Sequence, residues 1–78
     1  MADGARLIKR SFVLSGHATS VALEPLFWSV LCAMAAEKHE SLRRLVTRLD
    51  ESNPGVPLTR TLRLAALQWS LAQGNVTV

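Results

Sequence analysis

Only one segment of this chain reads as a β-strand, and a lone strand cannot satisfy its own backbone. From Ala18 the residues alternate: Thr19, Val21 and Leu23 point one way, Ala18, Ser20 and Ala22 the other. Alternation with period two over about six residues is the pattern of a half-buried strand. The stretch before it, residues 10–17, is rich in small and β-branched side chains, but Gly16 marks a bend or bulge there and leaves the parity unset. Glu24-Pro25 stops the strand. Backbone N–H and C=O groups need partners, and a bare strand edge invites another chain. The simplest solution is a two-fold axis that pairs the strand with its own copy in a two-stranded antiparallel ribbon. The sequence therefore predicts one N-terminal strand per chain and an intertwined homodimer, with Val21 and Leu23 of both copies facing the helices.

Size supports association. A chain of 78 residues buries only about 60% of its unfolded surface, so a single copy is marginal. At 49% hydrophobic and 19% charged residues the chain is too apolar to stay disordered. Its one cysteine, Cys32, excludes an internal disulfide, and two histidines with six scattered carboxylates form no metal set, so oligomerisation is the remaining support. No run of about 18 apolar residues is free of charge, and no signal-like apolar run follows the N-terminus, which places the chain in the cytoplasm. The triplet Asn75-Val76-Thr77 matches a glycosylation acceptor but carries no weight without export.

Three helices follow the strand. Pro25 suits a first helical turn, and Phe27, Val30, Leu31, Met34 and Ala35 recur at helical spacing, giving helix A at 25–38. Ser41 is an N-cap for helix B, whose apolar stripe is Leu42, Leu45, Val46 and Leu49 and which runs to residue 50 or 51. The cluster Ser52-Asn53-Pro54-Gly55-Val56-Pro57 breaks any helix. Helix C then spans 58–72, with Gly74 closing it. Leu58, Leu62, Ala65, Ala66 and Trp69 make one face of helix C, and Leu64, Leu67 and Leu71 an adjoining one. Either helix C packs on two sides, between elements or across a subunit boundary, or it is an ordinary core helix. Residues 1–8 form an N-terminal arm, 9–72 the domain and 73–78 a C-terminal tail.

The net charge is +3, distributed unevenly. Residues 1–23 carry three bases against one acid, 24–51 four bases against five acids, and 52–78 Arg60 and Arg63 with no acid. A basic N-terminal arm is one way to attract phosphate. Lys9 and Arg10 precede the strand and are placed to reach flanking phosphates. Arg43 and Arg44 sit in the first turn of helix B, where the helix dipole disfavours cations; that placement makes sense if an anion binds there too. No glycine-rich phosphate loop, paired carboxylates or nucleophile–base set is present, so the chain is read as no enzyme, with no cofactor. Cys32 is expected to be a small buried hydrophobe. Trp28 and Trp69 are expected to anchor the core or a dimer interface. His17 reads as a turn or strand residue bonded to local backbone.

The order strand, Pro, helix, Ser-capped helix resembles the ribbon-helix-helix proteins. The run Gly16-His17-Ala18-Thr19-Ser20-Val21-Ala22-Leu23-Glu24-Pro25, with Phe27-Trp28 after it, is similar to a short bacterial subfamily of that fold. Leu45-Val46, Leu49-Asp50 and the run Leu58-Thr59-Arg60-Thr61-Leu62-Arg63 fit the same pattern, so the likeness covers about residues 9–72. It implies a dimeric DNA-binding protein, usually a transcriptional regulator. The outward ribbon residues would read base edges, which assigns Ala18, Ser20 and Ala22. The N-terminus of helix B would clamp a phosphate through its amides, which assigns Ser41, Leu42 and Arg43. Such relatives commonly carry a base where this chain has Ala18 and a hydroxyl where it has Ala22. They also carry a glycine in place of His39 and an apolar residue in place of Glu40. Ser20 is then the sole polar reader, and sequence specificity should be low. The alternative is a scaffold of this fold that no longer reads DNA and binds protein, through helix C or the tail Val76-Thr77-Val78.

Overall fold

The computed structural model of the chain describes residues 6–74. The expected arm at residues 1–5, the tail at 75–78 and the triplet at Asn75 lie outside the described residues. The element order is β1 (Ile8–Leu14), β2 (His17–Leu23), α1 (Pro25–Glu37), α2 (Leu42–Ser52) and α3 (Leu58–Ala72). There are thus two strands where the sequence reading had one. β1 and β2 pair antiparallel within the chain, in the register Ile8 with Leu23 through Leu14 with His17. The strand thought to need a partner from another copy has one of its own.

The reason lies in the two residues between the strands. Ser15 and Gly16 both take positive φ, at 52° and 82°, as a two-residue hairpin loop of the I′ kind requires. Gly16 is therefore a hairpin turn and not a bulge. With the register set, Phe12, Leu14, Val21 and Leu23 turn inward and are buried. β1 also begins at Ile8, inside the segment read as an arm.

The helices fall where the punctuation put them. Pro25 opens α1, and the Ser41 hydroxyl caps α2 by accepting the Arg44 N–H at 3.0 Å. Gln73 and Gly74 close α3, with Gly74 at φ 71°. The hairpin's inner face packs against Trp28, Leu31, Met34 and Ala35 of α1, Leu45 and Val46 of α2, and Leu62 and Ala66 of α3 in one core. α3 touches β2, α1 and α2, so it holds the layers together. Leu23, Leu31, Leu45, Val46 and Leu62 are fully buried. Each side chain of this kind contributes about 1.5–3 kcal/mol by leaving water. Trp28 is a core anchor, while Trp69 packs at the core's margin and donates from Nε1 to Glu37 Oε1 at 3.1 Å. Cys32 is exposed, against expectation. It lies beside the buried Leu31 but is rotated about 100° away from the stripe that faces the core. Among the described residues no helix is long and apolar enough to cross a membrane.

His39 is held at φ 56°. α1 ends in a paired closure: the His39 N–H donates to Ala36 O at 3.1 Å and the Glu40 N–H to Ala35 O at 3.0 Å. This is the helix stop whose left-handed residue is usually glycine. The strain at a residue with a Cβ is about 1 kcal/mol. His39→Gly is expected to raise stability by up to about 1 kcal/mol, less the added freedom of the unfolded chain; urea unfolding followed by circular dichroism measures it.

Candidate nucleic-acid interface

Two surfaces carry the residues singled out above. The first is the outward face of the hairpin. Ala18 and Ser20 lie there exposed and Ala22 half-buried, in agreement with the alternation read from β2. Opposite them across the ribbon stand Val13, Ser11 and Lys9. Ser11 and Val13 were missed because β1 was not read as a strand; the signal available was the pair Ser15-Gly16 followed by alternation running backward from it. Lys9 brings one cation to this face, opposite Ala22.

Arg10 does not join it. Arg10 pairs with Val21 and so belongs to the helix-facing side, where its guanidinium lies 5.3 Å from the centroid of the Trp28 ring. The stem covers apolar surface while the charge stays in solvent, which is the usual compromise for an arginine at such a position. Lys9 and Arg10, adjacent in sequence, thus point to opposite faces of the ribbon. The hydroxyls of Ser11 and Ser20 lie 3.1 Å apart and bond to each other. Each still has capacity for two more hydrogen bonds. His17 starts β2 and is exposed, opposite Leu14.

The second surface is the start of α2. The amides of Leu42 and Arg43 precede the first intrahelical bond, so they carry free donor capacity, and the helix dipole adds partial positive charge. Around this end Ser41, Arg43, Arg44, Thr47, Arg48 and Glu51 line an open cavity of about 490 Å³. The first turn holds no acid, and Arg43 and Arg44 stand in it. Arg44 and Arg48, not assigned to the clamp from sequence, complete a set of three guanidinium groups. Two acids are near: Glu51 in the cavity wall, and Glu40 just before the helix. The Glu40 carboxylate accepts a hydrogen bond from Arg48 and lies 3.9 Å from the Arg44 Nε. It therefore offsets Arg48 mainly, and Arg43 makes no ion pair among the described residues. Ser41→Ala is expected to cost about 1 kcal/mol of stability, because the cap on the Arg44 N–H is lost; thermal unfolding of the variant checks it.

Elsewhere charge serves the fold. Arg63 donates from Nη2 and Nε to Glu24 Oε1, at 2.9 and 3.2 Å, and lies 5.8 Å from the centroid of the Phe27 ring. The Glu24 carboxyl is held below its usual range, first by its backbone hydrogen bond and then by the Arg63 side chain. A lowered carboxyl supports the folded state above its unfolded pKa of about 4.3 and loses that support as pH falls through the lower folded value. This pair ties the β2–α1 junction to α3.

A hairpin with an open outer face, backed by helices of which the second offers a basic N-terminus, defines a nucleic-acid-binding class of domain. The ribbon-helix-helix domain family matches residues 7–70, and the chain belongs to that family, whose members are DNA-binding proteins of the transcription-regulator kind and generally dimers. Among solved structures, an uncharacterized protein from Bordetella pertussis Tohama I is similar, with a TM-score of 0.80 and 29% identity over 100% of this chain and 68% of that one. No curated protein matches the chain.

Proposed function

We propose that the protein is a homodimeric DNA-binding regulator of the cytoplasm. The outward face of its hairpin lies in the major groove and the start of α2 grips a backbone phosphate. The observation that carries this reading is the pair Arg43 and Arg44 in the first turn of a helix whose N-terminus is already positive. Two cations there oppose the dipole, and a bound phosphate relieves the conflict. The Leu42 and Arg43 amides would donate to that phosphate while the Arg43 guanidinium neutralises it.

The ribbon that enters the groove is the hairpin of one chain. A copy added along the free edge of β2 would build a four-stranded sheet about 14 Å across its outer strands. The groove is about 12 Å wide and admits two strands, not four. With β1 on one edge of β2, each protomer already carries a two-stranded ribbon, and this reading lays that ribbon in the groove. Its outward residues are Lys9, Ser11, Val13, Ala18, Ser20 and Ala22. Of these only Lys9 belongs to the arginine, lysine, asparagine and glutamine set that discriminates bases most strongly. Binding is therefore driven by phosphate contacts and tolerant of sequence, with Lys9 the sole charged group on the inserted face.

Titrating the protein against duplex DNA at several salt concentrations tests this. Affinity should fall steeply with salt, in proportion to the phosphates neutralised. Absence of binding at about 50 mM salt, or binding indifferent to salt, overturns the reading. The weak outward face also motivates the rival, a scaffold that binds protein. Ala18→Arg separates the two: a gain of several fold on existing DNA binding fits a reader with a poor ribbon, whereas binding that appears only in the variant fits a ribbon that does not read DNA.

A further inference from the structure

Thr61 carries a hydroxyl that the fold leaves unanswered. The residue is 6% exposed, and its Oγ1 is buried with no hydrogen-bond partner among the described residues. A hydroxyl on a helix commonly bonds the carbonyl four residues back. In α2, Thr47 donates to Arg43 O and Ser52 to Arg48 O in this way, each at 2.8 Å. In α3 the corresponding carbonyl, Pro57 O, accepts only the Thr61 N–H, at 3.1 Å. A buried polar group left unmet is costly, so it marks a place where something else bonds.

Thr61 stands in the wall of a cavity of about 330 Å³ between the end of α2 and the start of α3. Leu49, Val56 and Leu64 give that cavity apolar sides, and Arg60 is the only charged residue among the described ones that line it. Arg60 is exposed and makes no ion pair among the described residues. It belongs to the first turn of α3, which holds no acid and has no side-chain cap. The guanidinium and the helix dipole together make one end of the cavity positive.

We infer that this cavity binds a small aliphatic carboxylate. Arg60 takes the carboxylate, whose two oxygens match the guanidinium fork. The alkyl chain lies against Leu49, Val56 and Leu64. Threonine has two favoured settings of its Cα–Cβ bond in a helix, and a turn between them brings the Thr61 hydroxyl to the ligand as a further donor. At about 30 Å³ for each water-sized group the cavity holds about eleven, so a carboxylate of about four to eight carbons fits and a long lipid chain does not. A bare phosphate would leave the apolar walls unused, and an amine would be repelled by Arg60. The site is separate from the start of α2, since Leu49 lies about 9 Å along the helix from Arg43. The inference therefore stands whether or not the protein binds DNA.

Titrating the isotope-labelled full chain with hexanoate at constant ionic strength, and following its backbone amides by NMR, tests this. Signals of Leu49, Thr61 and Leu64 should shift and saturate with a Kd of about 1 mM, ordinary for so small a ligand. Hexan-1-ol should bind at least about 10-fold more weakly, and Arg60→Gln should lose at least about 10-fold for hexanoate, because each removes a hydrogen bond to a charged group. Thr61→Val keeps the side chain's shape without its hydroxyl. It should unfold at a higher temperature than the wild type when free, yet bind hexanoate at least about 10-fold more weakly. A variant made firmer that nevertheless binds less well has lost a ligand contact and not its fold. Absence of saturating shifts up to about 20 mM hexanoate overturns the site. So do shifts centred elsewhere on the chain, equal affinity for hexan-1-ol, or hexanoate affinity unchanged in either variant.

Discussion

Trp28→Ala is expected to cost the chain more stability than truncating any side chain of the hairpin, about 3–5 kcal/mol. Trp28 is almost fully buried and joins the hairpin to α1 in three ways. Its ring packs against Phe12, with centroids 6.0 Å apart and planes tilted by 36°. Its Nε1 donates to the Ile8 carbonyl at 2.8 Å, fixing the start of β1. Its face carries the Arg10 guanidinium. Truncating a buried tryptophan costs about 3–5 kcal/mol. A domain of 78 residues has about 4–12 kcal/mol in all, so the loss takes from about a quarter of it to nearly the whole. Trp28→Phe should keep most of the packing, leave the Ile8 carbonyl unmet and cost about 1–3 kcal/mol. Arg10→Ala should cost about 0.5–1 kcal/mol, the worth of an exposed cation over a ring. Urea denaturation followed at 222 nm ranks the three. If Trp28→Ala loses less than Arg10→Ala, the hairpin is not docked through this side chain.

The three helices were legible because each is punctuated by residues whose chemistry is local. Pro25 lacks an N–H that a first turn does not need, Ser41 supplies a cap, and the cluster at 52–57 admits no helix. The alternation from Ala18 to Leu23 was legible for the same reason. β1 was not, because its evidence of pairing is the turn, and Ser-Gly is a weaker turn signal than Asn-Gly or Asp-Gly. Arg10 also blurred the pattern: it occupies a helix-facing register position yet remains exposed by lying along Trp28. Contacts distant in sequence were beyond reach. Glu24 meets Arg63 from 39 residues away, and Glu40 prefers Arg48, eight residues on, to the helical neighbour Arg44. An acid at position 40 stands close to a phosphate bound at α2 and would oppose it, but its pairing with Arg48 leaves Arg43 to face solvent. Cys32 was misread because apolar neighbours in sequence, Leu31 and Ala33, say nothing of which way a helix is turned. By contrast the second apolar face of α3 was visible in the sequence as Leu64, Leu67 and Leu71, read either as a second packing face or as part of an ordinary core helix; all three are exposed.

The double variant Arg43→Glu, Arg44→Gln should bind duplex DNA at least about 60-fold more weakly at about 100 mM salt. One phosphate lost from each protomer of the dimer, two in all, contributes about 1.8 to the slope of log affinity against log salt, and over the decade from 1 M to 0.1 M that slope is worth about 60-fold. The acid introduced at 43 adds repulsion to this loss. The slope itself should fall by about 0.9 for each protomer engaged. Folding stability should move the other way. Removing cations from the first turn of α2 and placing a carboxylate near its N-terminus favours the helix dipole by about 0.3–1 kcal/mol. Glutamine at 44 avoids setting a second acid against Glu40, which lies one helical turn back. A higher midpoint of thermal unfolding joined to weaker DNA binding is a combination that general damage to the fold cannot produce. It identifies Arg43 and Arg44 as residues kept at some cost to the helix for the sake of an anion. Should the variant unfold at a higher temperature yet bind DNA with unchanged affinity and salt slope, the start of α2 is not the phosphate grip, and binding must be sought around Lys9 on the hairpin instead.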